Sequence, residues 1–353
     1  MTNPKKAVTI ADIAAYTNSS VSTVSRVLSS SSYPVSKERR KAIQDAAKEM
    51  GYVPNAIGRM LKSNINRSIA VIVPTLQNPF FLQIIRGAEN EAIQRGYHIS
   101  FHSSRRDPAL EQELIHYALQ QRIMGIMLIS IDKSPDTLQS YLDAGGRTAL
   151  IEADFTIQNV IHAQTDFIQC GKMAASHLIQ SGHKKIALFS PPLTKAARYL
   201  SVEGCRSAMA EHSLTLADED IFIGSLEQEL DEGMYEFEVG KKLASQLLRS
   251  ERSYTAIIST NDLTAFGAIQ YFTQKGVKVP QDISVIGMDD IVYSGMFFPP
   301  LTSIHQPSVR KGRLACRLLI DELENGTEAS DIFINFSPEL RKRESVSAPS
   351  VSV

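Results

Sequence analysis

Residues 9–28 read TIADIAAYTNSSVSTVSRVL, and the spacing of apolar and turn-forming residues in this stretch decides how the head of the chain folds. Ile10, Ile13 and Ala14 recur at the spacing of one helical face, and Thr9 just before them can accept a backbone N–H as an N-cap. Thr17-Asn18-Ser19-Ser20 breaks the pattern, and Ser20 can cap a second helix that buries Val24, Val27 and Leu28. Val21, Ser22, Thr23, Ser25 and Arg26 then face outward from its first turns. Two short helices about a polar turn, the second with small polar residues and one Arg outside, form a helix-turn-helix pattern. Such a face suits duplex DNA: Arg can donate two hydrogen bonds to guanine, Ser and Thr can bond bases or phosphates, and Val can touch a thymine methyl. Any small three-helix domain can show a similar face, so the pattern alone leaves both readings open.

Working outward, a polar loop from Ser29 to Pro34 leads to Ser36, which caps a third helix running to Met50 with Ile43, Ala46, Ala47 and Met50 inward, and Gly51 ends it. After Tyr52-Val53-Pro54, Asn55 can cap a short helix holding Ile57, Arg59 and Leu61. Roughly seven residues are marginal as a helix alone in water, so this segment is expected to fold only against a partner. Through Arg67 the chain has eleven Lys and Arg against four acids, a head at +7, which leaves −8 on the rest of a total of −1. A basic head on an acidic body suits a polyanion-binding module with which the body does not compete.

On Thr9-Ile10-Ala11-Asp12-Ile13-Ala14, Thr23-Val24-Ser25-Arg26-Val27-Leu28, Val35-Ser36 and Gly51-Tyr52-Val53-Pro54-Asn55 with Arg59 and Leu61, the head resembles that of the lac repressor family (LacI/GalR) of bacterial transcription regulators. The resemblance extends through the body to about residue 343. It implies DNA contacts from Thr9, Ile10, Val21, Ser22, Thr23, Ser25 and Arg26, and makes residues 55–61 a hinge helix that pairs with its twin across a homodimer and enters the minor groove. Asn55, Arg59 and Leu61 would carry that contact, Leu61 as the wedge between base pairs. An apolar wedge of this kind bends DNA at a cost of a few kcal/mol that added contact offsets.

From Ile69 the rhythm changes to short apolar runs: IAVIV (69–73), HISFH (98–102), IMLI (126–129), TALIE (148–152), KIALF (185–189), AIIS (256–259) and ISVIG (283–287). Amphipathic helical patterns lie between most of them, as at Phe80 to Arg95 and Leu110 to Arg122. The alternation predicts parallel sheets covered by helices, with enough strands for two. The expected fold class is an all-α helix-turn-helix head plus an α/β body of two parallel-sheet subdomains resembling periplasmic sugar-binding proteins. The expected divisions are a head over 1–54, a hinge and linker over 55–67, an effector-binding and dimerisation body over 68–343 and a tail over 344–353 without leucine heptads. By the resemblance the chain crosses between subdomains near 160, 290 and 323.

Ligands of open α/β sheets sit beyond the carboxyl ends of the strands, and in such places lie Pro74 to Phe81, Glu152, Ser190 to Ser201, Thr260 to Asp262 and Met288 to Asp290. Carboxylates and amides suit hydroxyl groups, and an aromatic face such as Phe80 suits the apolar side of a sugar ring. By the resemblance, Asn261 and Asp289 are the foremost effector contacts, Glu152 stands where the family often has Asp, and Tyr235 falls near an aromatic position. Ser201 replaces an Arg that the family places three residues before the Gly here numbered 204, and Arg198, one turn earlier, can reach the same cleft. For Asp262 and Asp290 a turn-stabilising role is the stronger expectation.

No GxGxxG, P-loop, GxSxG, HExxH or CxxC pattern occurs, so no catalytic residue, metal site or cofactor is assigned. Cys170, Cys205 and Cys316 are far apart and odd in number, which suggests neither a disulfide framework nor a thiolate site and fits a reducing compartment. The N-terminus lacks the apolar core of a secretory signal and no stretch approaches the roughly 18 apolar residues of a membrane span, so the expected location is the cytoplasm. The expected activity is that of a repressor on a pseudo-palindromic DNA operator, controlled by a small effector, a carbohydrate in the first instance. A solute-binding protein of a sugar transporter would share the body but not the basic head. A sugar-metabolising enzyme would need a convergent acid, base or metal set.

Overall fold

The computed structural model describes residues 8–29, 33–53, 66–225, 234–326 and 331–350. The chain separates into two compact units, Met1–Asn66 and Arg67–Val353. In the first, α1 (Ile10–Tyr16), α2 (Val21–Leu28) and α3 (Lys37–Glu49) follow the caps that the sequence provides. Thr9 Oγ1 accepts from Asp12 N–H while the Asp12 carboxylate accepts from Thr9 N–H at 2.8 Å, a reciprocal capping box. Ser20 and Ser36 cap α2 and α3 in the same sense. Asn18 takes a left-handed φ of +45° in the turn between α1 and α2. Ile13, Ala14, Val24, Val27, Ile43, Ala46 and Ala47 form the buried centre, with Ile10, Leu28 and Met50 packed against it. The expected hinge helix, with Asn55, Arg59 and Leu61, lies outside the described residues.

In the second unit the chain lays down β1 (Ser68–Val73), α4 (Pro79–Gln94), β2 (His98–Ser103), α5 (Pro108–Gln120), β3 (Gly125–Leu128), α6 (Asp136–Asp143), β4 (Arg147–Ile151) and β5 (Ile161–Thr165). It continues through α7 (Phe167–Gln180), β6 (Ile186–Ser190), α8 (Ala196–Glu211), β7 (Ile221–Ile223), α9 (Tyr235–Arg249), β8 (Ala256–Ser259), α10 (Asp262–Gln274), β9 (Ser284–Asp289) and β10 (Thr302–His305). Then come α11 (Ser308–Asn325), β11 (Ile332–Phe336) and β12 (Glu339–Arg341). Two six-stranded sheets result, ordered β11-β5-β4-β3-β1-β2 and β12-β10-β9-β8-β6-β7. All pairings are parallel except β12 on β10.

The crossovers between the sheets fall at 165–167, 305–308 and 336–339, later than the expected 160, 290 and 323. The reason is that β5, β10 and β11 each extend their sheet by one strand before the chain leaves it. None of these reads as an apolar run, since His162, Gln164, Ser303 and Asn335 interrupt them. The segment after 343, expected as a tail, is packed as far as the described chain shows. Ser345 is buried, accepts from Thr302 N–H at 2.8 Å and donates to Val285 O at 2.6 Å, and the Ser347 carbonyl lies 2.8 Å from His183 Nε2.

Among the helices that cover the sheets, three pairs are drawn together by reciprocal glycines. A Cβ on Gly87 of α4 would lie 2.0 Å from Val309 O of α11, and one on Gly312 would lie 2.0 Å from Ile84 O. Gly171 and Gly204 play the same part between α7 and α8, and Gly240 and Gly267 between α9 and α10. With backbone against backbone, little can give way for a side chain.

Candidate functional site

On the head, Val21 is 53 % exposed, Ser22 is exposed, and Thr23, Ser25 and Arg26 are half-buried along the same helix. The Ser20 hydroxyl draws those of Ser22 (2.9 Å) and Thr23 (2.8 Å) toward the start of α2, and the Arg26 guanidinium lies 4.0 Å above the exposed Tyr33 ring. Thr9, exposed, closes the capping box, and Ile10 is half-buried against the core. The cationic run Lys37, Arg39, Arg40 and Lys41 occupies the first turns of α3, with Lys37, Arg39 and Lys41 exposed and Arg40 half-buried.

The second unit holds a cavity of about 280 Å³ beyond the carboxyl ends of both sheets. Phe80, Glu152, Arg198, Ser201, Asn261 and Asp289 all line it. Tyr235 does not. It is buried behind the wall, donating to Ser225 O at 2.6 Å, with its ring 5.3 Å from the Arg106 guanidinium. Asn261 caps α10 through Oδ1, which accepts from Thr264 N–H at 2.8 Å, so its amide NH₂ is the part left for a ligand. The Ser201 hydroxyl donates to Ala197 O at 2.7 Å within its own helix. Asp289 ends β9 at φ +139° and accepts from Gln306 Nε2 at 2.9 Å. Burial, and then the neighbouring Asp262 charge, push its carboxyl well above the usual range. Glu152 also sits at positive φ, +52°, so two cavity acids occupy backbone conformations that non-glycine residues rarely adopt.

Asp262 and Asp290 are indeed braces. Asp262 accepts from Ile291 N–H (3.0 Å) and the hydroxyls of Ser294 (2.5 Å) and Ser303 (2.6 Å). Asp290 binds Arg343 (2.6 Å) and His305 (3.0 Å).

Side chains from the two subdomains meet across both lips of the cavity. On one lip Glu236 Oε1 of α9 accepts from Arg106 (2.8 Å) and from Asn78 Nδ2 (3.2 Å) of the first subdomain, and Arg106 and Glu236 are each only 4 % exposed. Glu236 Oε2 is buried without a partner among the described residues. On the other lip Lys195 meets Asp154 (3.6 Å) and donates to Ser130 O (3.2 Å), while Ala196 N–H donates to Asp154 Oδ1 (2.8 Å). The conformation is therefore a closed one.

Comparison with known proteins agrees with this two-part construction. Residues 9–55 match the family "Bacterial regulatory proteins, lacI family", and residues 175–346 match "Periplasmic binding protein-like domain". Over 350 residues the chain is 33 % identical to the HTH-type transcriptional repressor PurR of Haemophilus influenzae (strain PittEE), covering 96 % of this chain and 98 % of that one. The chain belongs to the lacI family of bacterial regulatory proteins. PurR of Mannheimia succiniciproducens is likewise 33 % identical, over 346 residues, at the same coverage. Among solved structures, the lac repressor dimer bound to operator and the anti-inducer ONPF is 25 % identical with a TM-score of 0.82, covering 97 % of this chain and all of that one. A complex of the transcriptional regulator CelR with cellobiose is 26 % identical with a TM-score of 0.70, covering 96 % and 99 %.

This lacI-family protein is thus a transcriptional repressor with a helix-turn-helix for DNA and a body for a small effector, and the match over the head sets the solute-transport reading aside. Its relatives are regulators of transcription rather than enzymes. Among the described residues no helix is long and apolar enough to cross a membrane, and no cluster of His, Cys, Asp or Glu could hold a metal. All three cysteines are free and buried.

Several cavity groups escaped the sequence reading. Arg106 follows strand β2 and obeys the same strand-end rule that singled out Glu152, so its position was available. Gln306 follows β10, which is too polar to read as a strand. Glu236 stands at no strand end and in no motif, and only the tertiary fold buries it.

Proposed function

We propose that this lacI-family repressor acts in the cytoplasm as a homodimer on a pseudo-palindromic operator, under the control of a compact, neutral, hydroxyl-rich effector of about one sugar ring. The observation that carries the effector class is the pairing of charge around the cavity. Arg106 is matched by Glu236, Lys195 by Asp154 and Glu152 by the buried Lys311, while Asp289 is held toward its neutral form by burial. A phosphorylated ligand would find Arg106, Lys195 and Lys311 engaged by carboxylates and Arg198 held to Pro192 O at 2.9 Å. A polyol would find acceptors at Glu236 Oε2 and Glu152, the Asn261 amide, and the Phe80 ring for its apolar face. The volume lies at the small end for ligand sites, which are about 300 Å³ or more. The complex of the related CelR with cellobiose supports the same chemistry.

In this reading Val21, Ser22, Thr23, Ser25 and Arg26 read the half-site, and Asn55, Arg59 and Leu61 act in the minor groove. The effector shifts the balance between closed and open bodies by its differential affinity for them, which sets whether paired hinge segments form on DNA. A thermal-shift screen with neutral monosaccharides, sugar phosphates and nucleobases tests the effector, since a ligand of the native state raises apparent stability. Neutral sugars should be the active class; a shift with sugar phosphates alone would overturn it. Selection of binding duplexes from a random pool should return palindromes whose affinity falls steeply with salt. Recovery of single half-sites would contradict the dimer.

A further inference from the structure

Lys311, in the first turn of α11, is 0 % exposed. The residues below it on the same helical stripe are Ala315 and Leu319, so the site is one that an apolar side chain would fill without the cost of desolvating a charge. What the ammonium touches explains its presence. Nζ donates to Glu152 Oε1 and to Thr165 Oγ1 (2.6 Å), and lies 5.9 Å from the ring centroids of both Phe80 and Phe336. The Lys311 backbone N–H bonds Pro307 O at 2.9 Å. Thr165, Pro307 and Phe336 stand at the three crossovers, one on each, and Glu152 and Phe80 line the cavity. One residue therefore contacts every strand of the hinge and two walls of the cleft.

We propose that Lys311 is a positioning residue that couples the ligand cleft to the hinge, its ammonium holding Glu152 and the three crossovers in the arrangement of the closed form. The proposal rests on the reading of the cleft as the effector site. When two rigid subdomains rotate, the crossovers absorb the change, and a contact common to all three makes them move together. A polar chain carries the coupling onward: the Thr165 hydroxyl has a single hydrogen, which Glu152 Oε1 (2.8 Å) or Gln306 Oε1 (3.4 Å) can accept, and Gln306 Nε2 donates to Asp289 Oδ1 (2.9 Å) on the opposite wall. A ligand hydroxyl that engages Glu152 competes for the same carboxylate oxygens and so alters the hold on the hinge. Burial draws the ammonium down to about 7, which the ion pair with Glu152 opposes.

The test needs neither effector nor operator. The full chain is compared with Lys311→Met, with the double variant Lys311→Met/Glu152→Gln, which removes both charges together, and with the near-isosteric Thr165→Val. Thermal melting reports the fold, and hydrogen exchange read by mass spectrometry reports peptides over 165–169, 306–311 and 336–340. The expected result is exchange at least about ten-fold faster in all three crossover peptides of the double variant and of Thr165→Val. Strand amides in β1 and β9 should stay at wild-type rates. A purely structural lysine would give crossover rates equal to wild type once both charges are removed, or acceleration spread evenly over both sheets, and either overturns the proposal. Should the double variant not fold, Thr165→Val alone decides in the same terms. A failed ligand screen would count against the effector reading and leave this result unaffected.

Discussion

Replacing Arg106 by Met should open the body without unfolding it. The Arg106–Glu236 pair is 2.8 Å long with both side chains 4 % exposed, and its partners belong to different subdomains. Met fills much of the aliphatic volume but leaves Glu236 in the closed form hydrogen-bonded only to the Asn78 amide at 3.2 Å, with Arg198 acting on it through charge alone, which favours the lower end of the cost. Breaking a buried pair from one side costs about 3–5 kcal/mol, because the remaining charge is desolvated and uncompensated. Opening the cleft returns Glu236 to water, so the penalty falls on the closed form rather than on either core. At about 1.4 kcal/mol for each tenfold, the lower figure reduces the closed-to-open ratio by more than about 100-fold. Ala196 N–H supplies the reporter, since its partner, Asp154 Oδ1, lies across the opposite lip at 2.8 Å. Its position in the first turn of α8 gives it no helical acceptor in the open form. Hydrogen exchange of the peptide over 193–200 should therefore accelerate by about two orders of magnitude, with the melting temperature changed by no more than a few degrees. Unchanged exchange at Ala196 would refute the idea that the two lips close as one, and a collapse in melting temperature would refute the assignment of the cost to the closed form.

Asp262 should make stability fall with rising pH. Burial lifts its folded value to about 6 from an ordinary 3.8. A raised carboxyl contributes stability that is complete below about 4 and lost as pH rises through about 6, at about 1.4 kcal/mol per unit. The difference between wild type and Asp262→Asn should thus shrink by about 2 kcal/mol between pH 4 and 6.5 in urea melts, and a flat difference would contradict it. Gly240→Ala places a Cβ 2.0 Å from Thr264 O; α9 and α10 must separate, and chemical denaturation should show a loss of about 3 kcal/mol, whereas a neutral result would mean that the pair is loosely packed. Arg26→Ala should weaken cognate binding by about 1–3 kcal/mol while leaving the salt slope unchanged if the guanidinium leaves Tyr33 for a base edge. A slope reduced by about one would assign it to a phosphate instead.

Which features could be read from the chain follows from whether their cause is local. The caps Thr9, Ser20 and Ser36 and the apolar phases of α1 to α3 act within a few residues, and the helices start where those caps stand. Strands buried on both faces, such as β1 and β9, declare themselves as apolar runs, whereas β5, β10 and β11 carry His162, Ser303 and Asn335 and gain their place only by pairing in the sheets. The strand-end rule reached Glu152, Asn261 and Asp289 because position along a strand is itself local. Glu236 illustrates the opposite case: its partners Asn78 and Arg106 stand 158 and 130 residues away, and nothing in the sequence near Glu236 sets it apart from the other acids of that stretch. Lys311 lies between these cases. It stands four residues before Ala315 and eight before Leu319, on the stripe that α11 buries, so its burial follows from helical phase alone. That a charge on such a stripe requires a counter-charge also follows from elementary electrostatics. What the sequence cannot supply is that the counter-charge is Glu152, because that pairing exists only once the chain has crossed between the sheets and returned. The residues that join cleft to hinge are therefore those whose partners the topology, rather than the local sequence, selects.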